Sequence, residues 1–215
     1  MGKIEKTGGY AADCYLHEGP GIHLMEANKY QEFLSRQRRE VLGRCGKVNP
    51  EDIEAYSESG GFMALENAVT AMIPEKVVEE IKRAELRDRS PKSRHTGLDW
   101  ETYRRVQHLP HYVVSTRLGG SSEAWMERTL LESDPFALIE GMAITAYALG
   151  GVGKGIIYMP AAYKPLAFRR MTRAINAAQA RRYLGRNILG APFGFDIEIR
   201  EAAGEDSLPR EHNPF

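Results

Sequence analysis

Three short strand-like runs, each separated from the next by long helical stretches, constrain this chain more than anything else in it. HYVVSTR (111–117), GIIYM (155–159) and FDIEIRE (195–201) are rich in β-branched and aromatic residues, the composition that suits a pleated, buried surface. The segments between them are too long for hairpins. They have the length of helical crossovers, which return the chain to the same end of a sheet and so make neighbouring strands parallel. The expectation is an α/β fold, a Rossmann-like layered domain with a largely parallel sheet. The 215 residues and 42% apolar content are enough to bury such a core.

The helical stretches carry matching signals. Residues 123–132 read as a helix. Asp134-Pro135 opens another, which turns Phe136, Ile139, Met142, Ala143 and Ala146 inward before Gly150–Gly155 closes it. Residues 163–184 read as a long amphipathic helix with Met171, Ala174, Ile175 and Ala178 inside and Arg169, Arg173 and Arg181 elsewhere. Upstream, residues 28–86 read as a small helical region. A first helix is expected from Asn28 to Arg44, with Tyr30, Phe33, Leu34, Val41 and Leu42 mainly on one side. A second is capped by Asn49-Pro50 and broken at Gly60-Gly61. A third runs from Phe62 to Met72, and a fourth from Pro74, burying Val77, Val78 and Ile81. Residues 87–97 are polar, basic and interrupted by Pro91, as in a loop. Asp99 is then expected to cap a helix reaching His108, and HYVVSTR to be a buried strand. Residues 1–27 read as an arm without period, 87–204 as the α/β core and 205–215 as a tail.

Charge and composition exclude several classes. Twenty-nine basic residues balance 29 acidic ones, so nothing in the net charge points to nucleic acid. The longest apolar run, around Gly141–Gly151, is too short and polar for membrane insertion. The N-terminal MGKIEKTGGY lacks a signal-peptide core, so a cytoplasmic location is expected by default. Cys14 and Cys45 are the only cysteines. They are too few for the four thiolates of a usual iron–sulfur cluster and are expected to be free thiols.

Several segments together resemble one family. RTLLESDPFALIEGMAITAYALG (128–150), GIIYMPAAYKPLAFRRMTRAINAA (155–178) and LGRNILGAPFGFDIEIREAAG (184–204) follow in the order found in the NADH- and flavin-binding flavoprotein subunit of complex I and of NAD-linked hydrogenases. RCGKVNPEDIEAYSESGGFMAL (44–65) resembles its helical lead-in. The resemblance implies a flavin mononucleotide (FMN) protein that takes hydride from NADH. It passes the electrons to a cluster in a C-terminal helical domain, which the matched segments do not reach. It also implies other subunits of a redox complex as partners.

The cofactor loops depart from the family pattern. Where the family has GLRGRGGAGFPTGLKW, a glycine-rich stretch whose amides meet the flavin phosphate, this chain has ELRDRSPKSRHTGLDW (85–100). Leu86, Arg87, Arg89, Thr96, Gly97 and Trp100 match, while Glu85, Asp88, Ser90, Pro91 and Ser93 replace glycines and Asp99 replaces a basic residue. The NADEGEPG pattern becomes TRLGGSSE (116–123), and the GAGAYICGEE turn becomes AAGEDSLPRE (202–211). By resemblance the candidate FMN and NAD(H) contacts are Arg87, Arg89, Thr96, Gly97, Thr116, Gly119, Gly120 and Gly204. No catalytic residue and no metal ligand is assigned.

Two functions therefore stay open: a flavin- or NAD(P)H-binding piece of an oxidoreductase that needs partners, and a non-catalytic structural or regulatory subunit. The basic loop of Arg87, Arg89, Lys92, Arg94 and His95 fits either an anion grip or a solvated partner contact. Gly151, Gly153 and Gly155 follow a helix and precede a strand, the reverse of a dinucleotide fingerprint, and read as a helix stop. His108 and His111 lack companion ligands. Glu127 and Arg128 read as helix-surface ions, Glu132 as a carboxylate that could serve acid–base work, Asp134 as a cap, and Trp100 and Trp125 as core or interface aromatics.

Overall fold

The computed structural model describes residues 32, 35–88, 92–106, 111–116, 121–160 and 165–202. The arm 1–27, the tail 205–215, Cys14 and His108 lie outside the described residues. Helix α1 (Ile53–Glu58) starts at Asp52, whose carboxylate accepts from the Glu54 and Ala55 amides at 3.0 and 3.2 Å. This corrects the Asn49-Pro50 cap: Asn49 Oδ1 accepts from the Glu51 amide, forming a turn one step before the helix. The first expected helix is shorter too. Ser35 is its last described helical residue, and 36–50 run as turns and bends. The reason is tertiary: Cys45 is drawn into the interior and Arg44 toward Asp134, while Val41 from the expected apolar face is exposed.

Helix α2 (Met63–Ala71) follows a tight turn in which Gly60 has φ +88° and Phe62 φ +61°. Between them, a Cβ on Gly61 would sit 2.1 Å from the Tyr56 ring, so only glycine fits there. Helix α3 (Pro74–Arg83) has proline in its first turn and buries Val77 and Val78. Helix α4 (Thr96–Arg104) begins earlier and ends sooner than its expected Asp99–His108 span. His95 is at its N-cap position, and Asp99 is inside the first turn, where the helix dipole favours an acid. Before it, the expected loop folds back on itself through an antiparallel bridge between Arg87 and His95.

The sheet holds β1 (Tyr112–Ser115), β2 (Lys154–Pro160) and β3 (Asp196–Ala202), in that spatial order and all parallel. Helices α5 (Ser121–Ser133) and α6 (Pro135–Ala148) make the first crossover, and α7 (Leu166–Ala180) the second. The register aligns Val113 with Gly155 and Ile197, and Ser115 with Ile157 and Ile199. Alternation puts these on one face, where Val113, Ile157, Met159, Ile197 and Ile199 join the core of α6 and α7. The α/β expectation holds. The expected burial of β1 does not: it is an edge strand with Tyr112 50% and Val114 45% exposed. Among the described residues it lacks the second neighbour that buries β2.

The α6 stripe is buried as expected, from Phe136 through Ala146, and so is that of α7. Helix α7 is shorter than 163–184. It stops at Ala180, and Arg182 turns the chain away with φ 60°. A Cβ on Gly155 would meet the Phe195 ring at 2.6 Å, which fixes how closely β2 and that ring approach. No described helix is long and apolar enough to cross a membrane.

Candidate functional site

Parallel α/β sheets usually hold ligands beyond the carboxyl ends of their strands. A cleft of about 80 Å³ opens there, above β1 and β2. Ser115, Thr116, Tyr158 and Pro160 come from the strand ends, Glu127, Leu130 and Leu131 from α5, Leu138 from α6, and Ile157 from the sheet. Its lining is mostly aliphatic, with the hydroxyls of Ser115, Thr116 and Tyr158 and the Glu127 carboxylate. Pockets that enclose a ligand of drug size span roughly 300–1,000 Å³; the part of this cleft that the described residues line is smaller.

Of the eight expected contacts, Thr116 lines the cleft. Arg87, Thr96 and Gly97 belong to the 86–97 hairpin and the start of α4, and do not line it. Arg89, Gly119, Gly120 and Gly204 lie outside the described residues.

Several described donors of the hairpin are bonded within it. The Asp88 amide donates to Arg94 O and the Thr96 amide to Leu86 O, both at 2.9 Å. The Arg94 amide donates to Asp88 Oδ1 at 2.8 Å, and Arg87 Nη1 to Ser93 O at 3.0 Å. Arg94 Nη2 pairs with Asp99 at 2.9 Å, which raises the Arg94 pKa through that hydrogen bond. At the start of α4, the Leu98 and Asp99 amides both donate to His95 O. Gly97 is packed against α3: its Cβ would lie 2.7 Å from the Lys82 amide nitrogen and 2.9 Å from Lys82 Cα.

Sequence reasoning missed a second polar constellation. Glu140, midway along α6, accepts from the Tyr56 hydroxyl at 2.6 Å, the Phe62 amide at 3.0 Å and the Leu65 amide at 3.3 Å. One carboxylate thus supplies the N-terminal cap that α2 lacks locally. Arg44 joins the cluster, donating from Nε to Asp134 at 2.9 Å and from Nη2 to Tyr56 at 3.3 Å. Burial pushes the Tyr56 hydroxyl pKa up, helped by its hydrogen bond to Glu140. Burial also raises the Asp134 pKa, although Arg44 pulls the other way. For Arg44, burial works against the charge, but Asp134 and Tyr56 outweigh it and the pKa rises. Asp134 occupies the N-cap position of α6, yet its side chain makes no cap bond there.

Glu132, read from sequence as a possible acid–base carboxylate, is 1% exposed and takes Arg128 Nε at 2.8 Å. Its carbonyl accepts from Arg170, a buried cation in the otherwise apolar stripe of α7. The available signal for all of these was a charged residue inside an apolar helix face: Glu140 is the only one in α6. Among the described residues, no group of three or more His, Cys, Asp or Glu is placed to hold a metal ion.

No family model matches the chain. It is 37% identical over 169 residues to the NADP-reducing hydrogenase subunit HndC of Solidesulfovibrio fructosivorans, covering 79% of this chain and 34% of that one. It is 34% identical over 152 residues to the F 2 subunit of the NADH-quinone oxidoreductase of Rhizobium meliloti, covering 71% of this chain and 36% of the relative. The corresponding F subunit of Aquifex aeolicus is also 34% identical, over 165 residues, with 76% and 37% covered. The chain therefore spans about a third of the length of these curated relatives. An NAD+-reducing [NiFe]-hydrogenase structure in the air-oxidised state shares the fold at a TM-score of 0.53 and 22% identity, over 71% of this chain and 25% of its own.

Proposed function

Because this chain is a homologue of part of the F subunit of the NADH-quinone oxidoreductases and of the hydrogenase subunit HndC, we propose that it serves as a subunit of an NAD(P)H-linked redox assembly and does not complete the electron path alone. The observation that carries this reading is the 37% identity to the hydrogenase subunit over 79% of the chain. Other subunits are then its partners. FMN and NAD(H) are the cofactors the lineage offers; of the contacts expected from the resemblance, Thr116 is the described one that lines the cleft.

A second form of this reading, a structural or regulatory subunit without flavin or NADH of its own, is supported by the residues of 85–100, where Glu85, Asp88, Ser90, Pro91 and Ser93 stand in place of the family's glycines. The assembly reading is tested by native electrophoresis of the tagged chain from its own cells, stained for NADH-dependent and NADPH-dependent dye reduction. The chain should migrate within an active band well above its own 24.1 kDa. Migration as a free chain, with all dye reduction elsewhere, would overturn it.

A further inference from the structure

We propose that the outer face of α7 around Arg169 and Arg173 is a docking surface for an acidic segment of a partner subunit. This deepens the assembly reading and rests on it. Near its start the helix carries three arginines, Arg169, Arg170 and Arg173, and it has no acid anywhere along its length. The start of a helix is the positive end of its dipole, so cations there are held at a cost. Inside the protein one carboxylate is turned to all three. Glu51, just before α1, accepts a hydrogen bond from Arg173 and is approached by Arg170 Nε at 3.6 Å and Arg169 Nη2 at 3.8 Å. The neighbouring Asp52 adds negative charge, but its carboxylate is given to the α1 amides. The adjoining ion pairs are matched one to one: Arg181 with Glu54 on α1, and Arg128 with Glu132. The cluster at Glu51 is the one left with surplus positive charge.

The three arginines are not equivalent. Arg170 is buried, 5% exposed, and donates to Glu132 O at 2.8 Å. Arg169 and Arg173 are 55% and 59% exposed. They lie one turn apart and so share a side of the helix. Among the described residues the Arg169 guanidinium makes no hydrogen bond; at 3.8 Å its contact with Glu51 is electrostatic. Its fork of donors is open to a second carboxylate. Phe168, 37% exposed, comes from the adjoining row of the same helix. Arginine beside an aromatic ring is the composition of an interface anchor.

Charge and shape choose the occupant. A surplus of arginine is complementary to acidic side chains, which it steers and orients. Small anions are held in concave sites that enclose them. More than half of each outer arginine is exposed instead, which suits a protein surface laid across it.

Two measurements test this. In the first, the tagged full chain with Arg169→Glu and Arg173→Glu is compared with the unaltered chain by native electrophoresis of material from its own cells. The double variant should leave the assembly band. Both proteins in the band would overturn the docking surface and leave the assembly reading standing. An unaltered chain that runs free would remove the assembly reading itself. In the second, an oligoglutamate peptide stands in for the acidic segment and is titrated onto the purified full chain, with inorganic phosphate as a separate probe. The peptide should bind saturably, more weakly as sodium chloride rises from about 50 to about 200 mM. Arg169→Ala should weaken it about tenfold, and Glu51→Gln, which removes the internal competitor, should strengthen it. Arg181→Ala should bind as the unaltered chain does, because Arg181 has its own carboxylate. Peptide binding that ignores Arg169→Ala, or no saturable binding, would overturn the surface. Phosphate bound more tightly than the peptide would overturn it too, in favour of a small-oxyanion site. Arg169→Ala removes no hydrogen bond between described residues, so it decides the matter even if the double variant fails to fold.

Discussion

Glu140 shows how much one side chain can hold. Its carboxylate takes one hydroxyl and two amides from the segment that leads into α2. Hydrogen bonds to a charged acceptor are worth about 1.5–3 kcal/mol, and stranding a buried donor adds to the loss. Glu140→Gln keeps the volume but removes the charge, and should cost about 2 kcal/mol in urea unfolding. Tyr56→Phe should cost about 1 kcal/mol, and the double variant less than the sum, because the two share a bond. Additive losses would mean that the Tyr56–Glu140 bond contributes nothing. Asp134 gives a pH dependence of defined sign. Burial raises its folded-state pKa above the ordinary aspartate value of 3.8. Its stabilising contribution is then fully present below that value and is lost as pH rises through the folded pKa. Relative to Asp134→Asn, the native chain should gain stability as the pH falls from about 7 toward about 4. Urea midpoints for both proteins across that range check this; a gap moving the opposite way refutes the raised pKa.

Among the elements, α3 and α4 depend on one glycine. Gly97→Ala would drive a methyl group to within 2.7 Å of the Lys82 amide nitrogen, which is backbone and cannot step aside. Overpacking of this kind costs about 1–3 kcal/mol. The variant should melt earlier and expose Trp100, which packs on the small cluster of Ala68, Val77, Val78 and Ala148. An unchanged melting temperature and tryptophan emission would show that the two helices separate freely. Elements are legible in the sequence where period and punctuation agree. Pro135 and Gly150 bracket α6, and Pro74 starts α3. They are illegible where a long-range contact decides the outcome. Arg44 and Cys45 turn inward and end the first helix early; Asn49 yields the cap to Asp52; the hairpin across Arg87 and His95 starts α4 before Asp99. Strand β1 has the composition of a buried strand, but nothing in its run of residues announces that its other edge is unpaired among the described residues. For the candidate site, the resemblance of 116–123 to a cofactor loop points to Thr116, which lines the cleft. The bonds between the two arms of the hairpin, Asp88 to Arg94 and Thr96 to Leu86, are not legible, because they depend on how the chain folds back.

At the scale of the whole molecule, the helices before the sheet and the layer built on it share one interior. Tyr56, Phe62, Leu65 and Val69 belong to the same apolar cluster as Phe136, Ile139, Met171 and Phe195. Phe62 stacks on Tyr183 at 3.9 Å between ring centres, and the Tyr183 hydroxyl donates to Glu66 at 2.9 Å. Ion pairs cross the same boundary: Arg44 with Asp134, and Arg173 with Glu51. A boundary drawn near residue 86 from the change in sequence character therefore passes through shared packing. Detaching residues 44–72 would uncover the α6 and α7 stripes, a loss on the order of 1.5–3 kcal/mol for each large side chain bared. The lead-in and the sheet layer should accordingly unfold in one cooperative step. Far-ultraviolet circular dichroism, tryptophan emission and exchange at the Leu65 and Ile157 amides should report the same midpoint in urea. Earlier exchange at Leu65, with Ile157 still protected, would instead make the lead-in a separate unit.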